Sequence, residues 1–373
     1  MEKIKICYMI SSLGNEGPVN VLYNILKFID YNSFDVTVLT LTKERDNSRI
    51  EDFCRLPISV IQLNKDGNYS LLSLFKLVQK EIYSLKPSIV HSHCTRSLLL
   101  MSLVKHIFKS MFTVHIYPGK QQFKMNGFIK GFLLINILNY FTKKCDMAVG
   151  CAESVSEQYY KEKGWIFPSV PNGSLMPLWK RSSFEKNKIR KELSLPLEYK
   201  YFIFIGRFSV EKNPDILLKV FSKLKDEGVG LIMLGSGPLL SHQVENKPDN
   251  IILPGFTTKV YDYLKASDFY ISVSDVEGLA NTILESMSVG LPMLLSDIPS
   301  HHEILNNFSS DEVGFIVDQH SVSNIIPRVR ELANMRPSDI SNISDRIQKV
   351  YAEKYTAETM SKNYQKLYHN IIK

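Results

Sequence analysis

Two glutamates eight positions apart, Glu277 and Glu285, stand in the thirteen-residue run SDVEGLANTILES from Ser274 to Ser286. The apolar stretch Phe269–Ser274 ahead of them has the character of a buried strand. A Gly-containing turn and a helical pattern follow. A strand–turn–helix of this kind aims a helix N-terminus, with its unpaired N–H groups and partial positive charge, out of the carboxyl edge of a sheet. Open α/β sheets bind phosphorylated ligands at that edge. A carboxylate on the turn, Glu277, reaches a sugar hydroxyl beside the phosphate. A carboxylate further along the helix, Glu285, clamps a ribose diol with both oxygens. The pattern predicts a nucleotide-sugar site.

A second constellation lies about seventy residues earlier, in FIGRFSVEKNP from Phe204 to Pro214. Gly206 ends a strand, and Asn213-Pro214 has the form of a helix cap followed by a first-turn proline. Arg207 and Lys212 bracket the turn between them. When a nucleotide sugar reacts, its diphosphate departs with growing negative charge. An arginine fork and a lysine point charge placed there stabilise the transition state more than the ground state. They supply what magnesium supplies elsewhere. The sequence has no cluster of aspartates to hold a metal, so neither a metal nor another cofactor is expected.

These residues need a frame, and the chain has one. Apolar runs alternate with amphipathic stretches of helical spacing from end to end. Strands are expected at Lys3–Ile10, Phe34–Leu41, Ile58–Leu63, Ser88–His93, Met111–His115 and Asp146–Gly150, with helices such as Val19–Asp30, Leu71–Leu85 and Phe128–Lys144 between them. A second series runs Tyr201–Ile205, Gly230–Leu234, Ile251–Pro254, Phe269–Ser274, Met293–Ser296 and Gly314–Val317. Such βαβ series favour parallel sheets covered on both faces. The predicted class is α/β, with two doubly wound Rossmann-like domains facing across a cleft. The domains are 1–174, with the C-terminal helix 357–373 returning to it, and 199–356. Pro177, Pro196 and two basic clusters mark 175–198 as a linker.

Composition fits this frame. The 373 residues are 44% hydrophobic and 22% charged, the balance of a globular protein of about two domains. The opening residues are too charged for a signal peptide, and the longest strongly apolar stretch, Gly131–Phe141, is too short to span a bilayer. Five cysteines without metal-type spacing indicate reduced thiols and a cytoplasmic setting. Residues 1–175 carry 21 Lys+Arg against 14 Asp+Glu, whereas 176–373 carry 24 of each, so the whole formal excess of +7 lies in the first half. A field of that sign attracts an anionic membrane surface, or is ordinary surface lysine. No nucleic-acid partner is expected.

The tandem of GRFSVEKNPD and EGLANTILESMSVGLPM resembles the retaining glycosyltransferases of family 4, which have the GT-B architecture. The resemblance extends over nearly the whole chain, through LGNEGPVNVLYNIL, SIVHSHCTRS, FTVH, VPNGS, LGSGP and GFTTKVYDYLKASDFYISVS. It implies transfer of a hexose from a nucleoside diphosphate sugar to a hydroxyl of a glycan or lipid-linked acceptor, in capsule, exopolysaccharide or O-antigen assembly. By the same resemblance Arg207 and Lys212 hold the diphosphate and Glu285 the ribose. Glu277 faces the hexose beside the backbone of Gly278, Leu279 and Ala280, and Gly206 ends the strand before the phosphate. Backbone near Phe256 and Val260 takes the base, which is open among uracil, guanine and thymine. His115 approaches the donor sugar, and Gly14 and Gly17 let the first loop pass close to donor and acceptor.

The chain departs from the family pattern in two places. Glu16 and Pro18 flank Gly17 where paired glycines are common, and proline removes one backbone donor. Ala280 stands where a second turn glycine is common. His91, His93 and His115 together suggest a metal, but only His93 and His115 fall at strand carboxyl ends, and His93 reads as a packing or acceptor-side residue. Arg96 pairs an acceptor phosphate or a surface carboxylate. Lys120, Lys124, Lys130, Lys143 and Lys144 flank an apolar segment that includes Phe128, Phe132, Leu133, Ile137 and Phe141. That segment either lies in a bilayer interface, making the protein peripheral on the inner face of a membrane, or packs on its own sheet. Two other functions fit the same architecture: a nucleotide-sugar epimerase, and a non-catalytic glycan-binding partner of an active transferase.

Overall fold

The computed structural model describes residues 2–104, 107–119, 122–123, 127–240, 247–308 and 313–373. Lys120 and Lys124 lie outside them. The chain forms two compact units, Met1–Ser174 with Ala357–Lys373, and Leu175–Thr356.

The first unit contains β1 (Ile4–Ile10), α1 (Gly17–Lys27), β2 (Phe34–Thr40), α2 (Ile50–Cys54), β3 (Ser59–Gln62), α3 (Leu71–Leu85) and β4 (Ile89–Ser92). It continues with α4 (Thr95–Leu103), β5 (Lys109–Val114), α5 (Phe128–Lys144), β6 (Met147–Gly150) and α6 (Glu153–Lys163). The six strands are all parallel, in the order β3-β2-β1-β4-β5-β6. The order reverses between β1 and β4. Such a switch point opens a crevice at the carboxyl ends of the strands, where Leu13–Gly17 and His93 follow β1 and β4.

The second unit begins with α7 (Ser183–Glu192) and runs through β7 (Lys200–Ile205), α8 (Pro214–Lys223), β8 (Val229–Leu234), β9 (Ile251–Gly255), α9 (Val260–Ala266) and β10 (Phe269–Ser272). It ends with α10 (Asn281–Ser288), β11 (Met293–Ser296), α11 (Pro299–Leu305), β12 (Gly314–Val317), α12 (Val322–Ala333) and α13 (Pro337–Lys354). Its order, β12-β11-β10-β7-β8-β9, switches between β7 and β10. Every residue of β8, β10 and β11 is buried, as expected of parallel strands covered on both faces.

The expected strands are present, shifted by a residue or two at their ends. The expected linker is not a linker. Residues 183–192 form a helix that belongs to the second unit, and its one buried residue is Arg190. Arg190 donates to Asp268 at 2.6 Å and to the carbonyl of Ala266 at 2.8 Å. The anchor is ionic, so it leaves no apolar periodicity to read.

The last helix, α14 (Ala357–Ile371), joins the first unit. Met360, Tyr364 and Tyr368 enter the core formed by Ile6, Tyr8 and Ile10 of β1. Burial of each such side chain contributes about 1.5–3 kcal/mol. Polar groups inside this core satisfy one another. The Tyr368 hydroxyl lies 2.7 Å from that of Tyr8 and 2.9 Å from His91 Nδ1. His91 Nε2 is 2.8 Å from Thr113 Oγ1, which lies 2.9 Å from the Tyr364 hydroxyl. His91 is therefore a structural residue, held neutral: burial pushes its pKa down to about 3.

Candidate functional site

The carboxyl ends of β7 and β10 lie side by side at the switch point of the second sheet. Gly206 follows β7, and its amide donates to Leu234 at 3.0 Å. Gly235 approaches so closely that a Cβ there would meet the Gly206 carbonyl oxygen at 1.9 Å, and its φ is +137°. Only glycine fits at that position. The Phe208 amide donates to the Ser236 carbonyl at 3.0 Å, so the turn that carries Arg207 is fastened to the loop after β8.

A single 3-10 turn, Val210–Lys212, brings Lys212 back over the strand ends. Its ammonium forms a hydrogen-bonded ion pair with Glu277 Oε1. Burial acts to raise the Glu277 carboxyl, but Lys212, with smaller help from His301 and Ser274, holds it below its ordinary range. Glu277 is thus an anion, and Lys212 keeps two further N–H directions for an incoming acceptor.

Asn213 does not cap α8 with its side chain as its position suggested. Its backbone is left-handed, φ +49° and ψ +43°, and Nδ2 instead donates to the Val273 carbonyl at 2.9 Å and Asp275 Oδ1 at 2.7 Å. The Asp275 amide donates to Glu211 at 2.8 Å. These bonds stitch the two motif segments together. Sequence reasoning missed this role of Asn213 and Asp275, because Asn before Pro also signals an ordinary cap.

Glu285 lies on α10. Its carboxylate has no protein partner among the described residues, and burial pushes its pKa up to about 7. Glu277 and Glu285 both act on the Tyr270 hydroxyl, which bonds Thr282 at 2.9 Å, so the two carboxylates share one neighbourhood. Gly278 and Leu279 are buried, and the amides of Gly278 and Ala280 have no protein acceptor among the described residues. Arg207 is exposed and unpartnered among the described residues. Phe256 is exposed after β9, and Val260 opens α9. Ser296, from β11, supports the turn by donating to the Ser274 carbonyl at 2.6 Å.

In the first unit His93 Nδ1 and His115 Nε2 are 3.2 Å apart. His93 is 1% exposed, and its Nε2 has no partner among the described residues. Burial holds both rings below the usual imidazole range, His115 at about 4. Arg96, on the first turn of α4, is exposed and has no carboxylate partner among the described residues. Gly14 forms an isolated bridge with Ser48, and Gly17 begins α1. Among the described residues no three His, Cys, Asp or Glu side chains are grouped to hold a metal ion.

Two doubly wound sheets, the second with cations and carboxylates gathered at its switch point, define a Rossmann-like α/β class of protein. Family models agree: "Glycosyl transferases group 1" matches residues 185–367 and "Glycosyltransferase Family 4" residues 16–173. The chain belongs to the group 1, family 4 glycosyltransferases of GT-B architecture, and its function is glycosyl transfer. It is similar to the UDP-Gal:alpha-D-GlcNAc-diphosphoundecaprenol alpha-1,3-galactosyltransferase of Escherichia coli, at 25% identity over 87% of this chain and 86% of that one. The O-antigen biosynthesis glycosyltransferase WclY of Escherichia coli is 22% identical over 99% of both chains. Among solved structures, Anabaena HepE in complex with UDP and glucose has the same fold, with a TM-score of 0.79 at 15% identity over 98% of this chain and 99% of that one.

Proposed function

We propose that this protein is a retaining, metal-independent hexosyltransferase. Its donor would be a nucleoside diphosphate sugar, with UDP first among the nucleotides, and its acceptor a hydroxyl of a glycan or lipid-linked carrier in bacterial surface polysaccharide synthesis. The observation that carries the proposal is the grouping of Arg207, Lys212, Glu277 and Glu285 at one switch point, with Glu285 left without a protein partner. A ribose diol supplies the two donors that Glu285 lacks. Lys212 and Arg207 receive the diphosphate, and the free amides of Gly278 and Ala280 face oxygens of donor sugar or phosphate.

In this reading the bond from anomeric carbon to phosphate oxygen breaks as the acceptor oxygen bonds the same face of that carbon. The acceptor proton passes to an oxygen of the departing diphosphate. Arg207 and Lys212 stabilise the charge that develops there. Glu277, held as an anion, binds a hexose hydroxyl and keeps Lys212 in place. His115, neutral through burial, is assigned to the donor hexose, and His93 and Arg96 to the acceptor side. The diphosphoundecaprenol-linked substrate in the name of one Escherichia coli relative, and the O-antigen biosynthesis in the name of the other, support the acceptor class.

Contact with an anionic membrane surface belongs to the same reading. On α5 the buried residues are Gly131, Asn139 and Thr142, while Phe128 is 74% exposed and Ile129 75%. Phe132, Leu133, Ile137 and Tyr140 are exposed as well, and Lys143 and Lys144 close the helix. No helix among the described residues is long and apolar enough to cross a membrane. An apolar face bordered by lysines suits the headgroup boundary. The test of the reaction is the anomeric configuration of the product, read by NMR. Retention from an α-linked donor gives an α-linked product, and a β-linked product refutes the same-face mechanism.

A further inference from the structure

The amino ends of β7 and β10, on the edge of the sheet away from Glu277, carry a second charged site. A cavity of about 210 Å3 there is lined by Trp179, Arg181, Lys186, Lys200, Asp268 and Ser341, among other residues of the second unit. Asp268 is buried and surrounded by cations: Lys186 Nζ and Arg190 Nη2 each at 2.6 Å, and Arg181 Nη2 at 3.8 Å. Burial acts to raise its carboxyl, and these three cations overrule it and hold it below its ordinary range.

The cations exceed what one carboxylate can balance. Arg190 is committed to the fold through Ala266, Tyr199 and Asp268. Beside its 3.8 Å pairing with Asp268, Arg181 makes only long bonds among the described residues, to the carbonyls of Asp268 and Gly290 at 3.3 and 3.4 Å. Lys186 has Asp268 as its one partner among the described residues, which leaves two N–H directions open. Lys200 Nζ has no partner among them. The other acidic groups nearby add little. Glu198 lines an adjoining hollow that Lys186 and Lys200 also line but pairs with neither among the described residues, Glu185 accepts from the Trp179 indole, and Asp339 pairs with Arg336. Burial is the largest influence on Arg181 and on Lys186 and holds both below their ordinary values, although Asp268 acts to raise them.

Confined positive charge in excess of its counter-charge is costly, and a small anion lowers the cost. The cavity is smaller than the about 300–1,000 Å3 typical of drug-sized ligands. It has room for one tetrahedral anionic group. The helices α7 and α13 both begin at its rim, which adds to the positive potential.

We propose that this cavity binds a phosphate group, as inorganic phosphate or a small phosphate monoester, between Lys186, Lys200 and Arg181. The site is separate from the donor site and does not depend on the reading of that site.

Trp179 lines the cavity and the chain has only one other tryptophan, Trp165, so a Trp165→Phe protein reports on this place by its emission. Arg207→Ala is added to weaken anion binding at the donor edge. Inorganic phosphate and glycerol 1-phosphate are then titrated separately at ionic strength held constant with potassium chloride. The expected result is a saturable change in Trp179 emission with at least one of them, weakened at least tenfold by Lys186→Gln and by Lys200→Gln. The tighter of the two ligands identifies the source. Lys200→Gln keeps the partners of Asp268 intact, so it guards against misfolding of the Lys186 variant, with matching circular dichroism as the control. A change that never saturates, or one that Lys200→Gln leaves untouched, overturns the proposal.

Discussion

Lys212 and Glu277 stand 65 positions apart and form one ion pair over the carboxyl ends of β7 and β10. The pair joins the two motifs of the proposed donor site, and Asn213 secures it from beside by bonding Val273 and Asp275. The lysine is therefore held over the strand ends before any ligand arrives.

In the proposed reaction, replacing Lys212 by alanine removes a pre-placed charge from the leaving group. Loss of one such electrostatic contact typically lowers turnover about 10²–10³-fold. Steady-state kcat with a nucleotide sugar should fall by that order, and near wild-type turnover would refute the role. The same change releases Glu277. A depressed carboxyl contributes stability that is present above its unfolded pKa and is lost as pH falls through the folded value. Acid unfolding of Lys212→Ala should therefore begin at higher pH than that of wild type.

Glu285 has the opposite sign. Its folded pKa, about 7, lies above the ordinary value of 4.5, so its stabilising contribution is full below pH 4.5 and is lost as pH rises toward 7. The ligand-free protein should lose at most about 3 kcal/mol across that window from this group. Urea unfolding at several pH values should show a flatter profile for Glu285→Gln. A profile identical to wild type would place Glu285 in an ordinary solvated setting.

The tie between α14 and the first sheet runs through hydroxyls. Tyr368→Phe leaves the Tyr8 hydroxyl and His91 Nδ1 short of one partner each. Loss of stability by about 1–3 kcal/mol is expected in chemical denaturation, since unpaired buried polar groups cost that much. No loss would mean that the network repairs itself.

The exposed face of α5 makes a separate prediction. Co-sedimentation with vesicles containing anionic lipid should be strong at low salt and weaken as salt rises, because lysine attraction is screened. Phe132→Ser with Leu133→Ser should abolish it while leaving the fold intact. Equal sedimentation of wild type and double variant would remove the membrane contact.

Much of this was legible in the sequence, and what escaped did so for physical reasons. Parallel strands such as Met293–Ser296 and Gly314–Val317 are short apolar runs bounded by turns, so burial on both faces gave them away. The turn position of Glu277 and the helix position of Glu285 were legible because a turn glycine and a helical register mark them. The helix at Ser183–Glu192 was hidden, since it anchors through Arg190 and leaves Phe184 exposed. The stitching by Asn213 and the tyrosine–histidine network of Tyr8, His91 and Tyr368 were hidden too. Both join residues far apart in the chain through polar atoms, which periodicity does not register.

The most direct test of the central claim is thermal unfolding of the full chain with UDP, GDP and dTDP in turn, and with the corresponding glucose nucleotides, beside a Glu285→Ala control. Ligand at about 100 times its dissociation constant adds about 2.7 kcal/mol of stability. A donor site at the β7–β10 switch point raises the midpoint with one nucleotide class, and the control loses the rise. No shift with any nucleotide or nucleotide sugar, or an equal shift in Glu285→Ala, would contradict a donor site at the β7–β10 switch point.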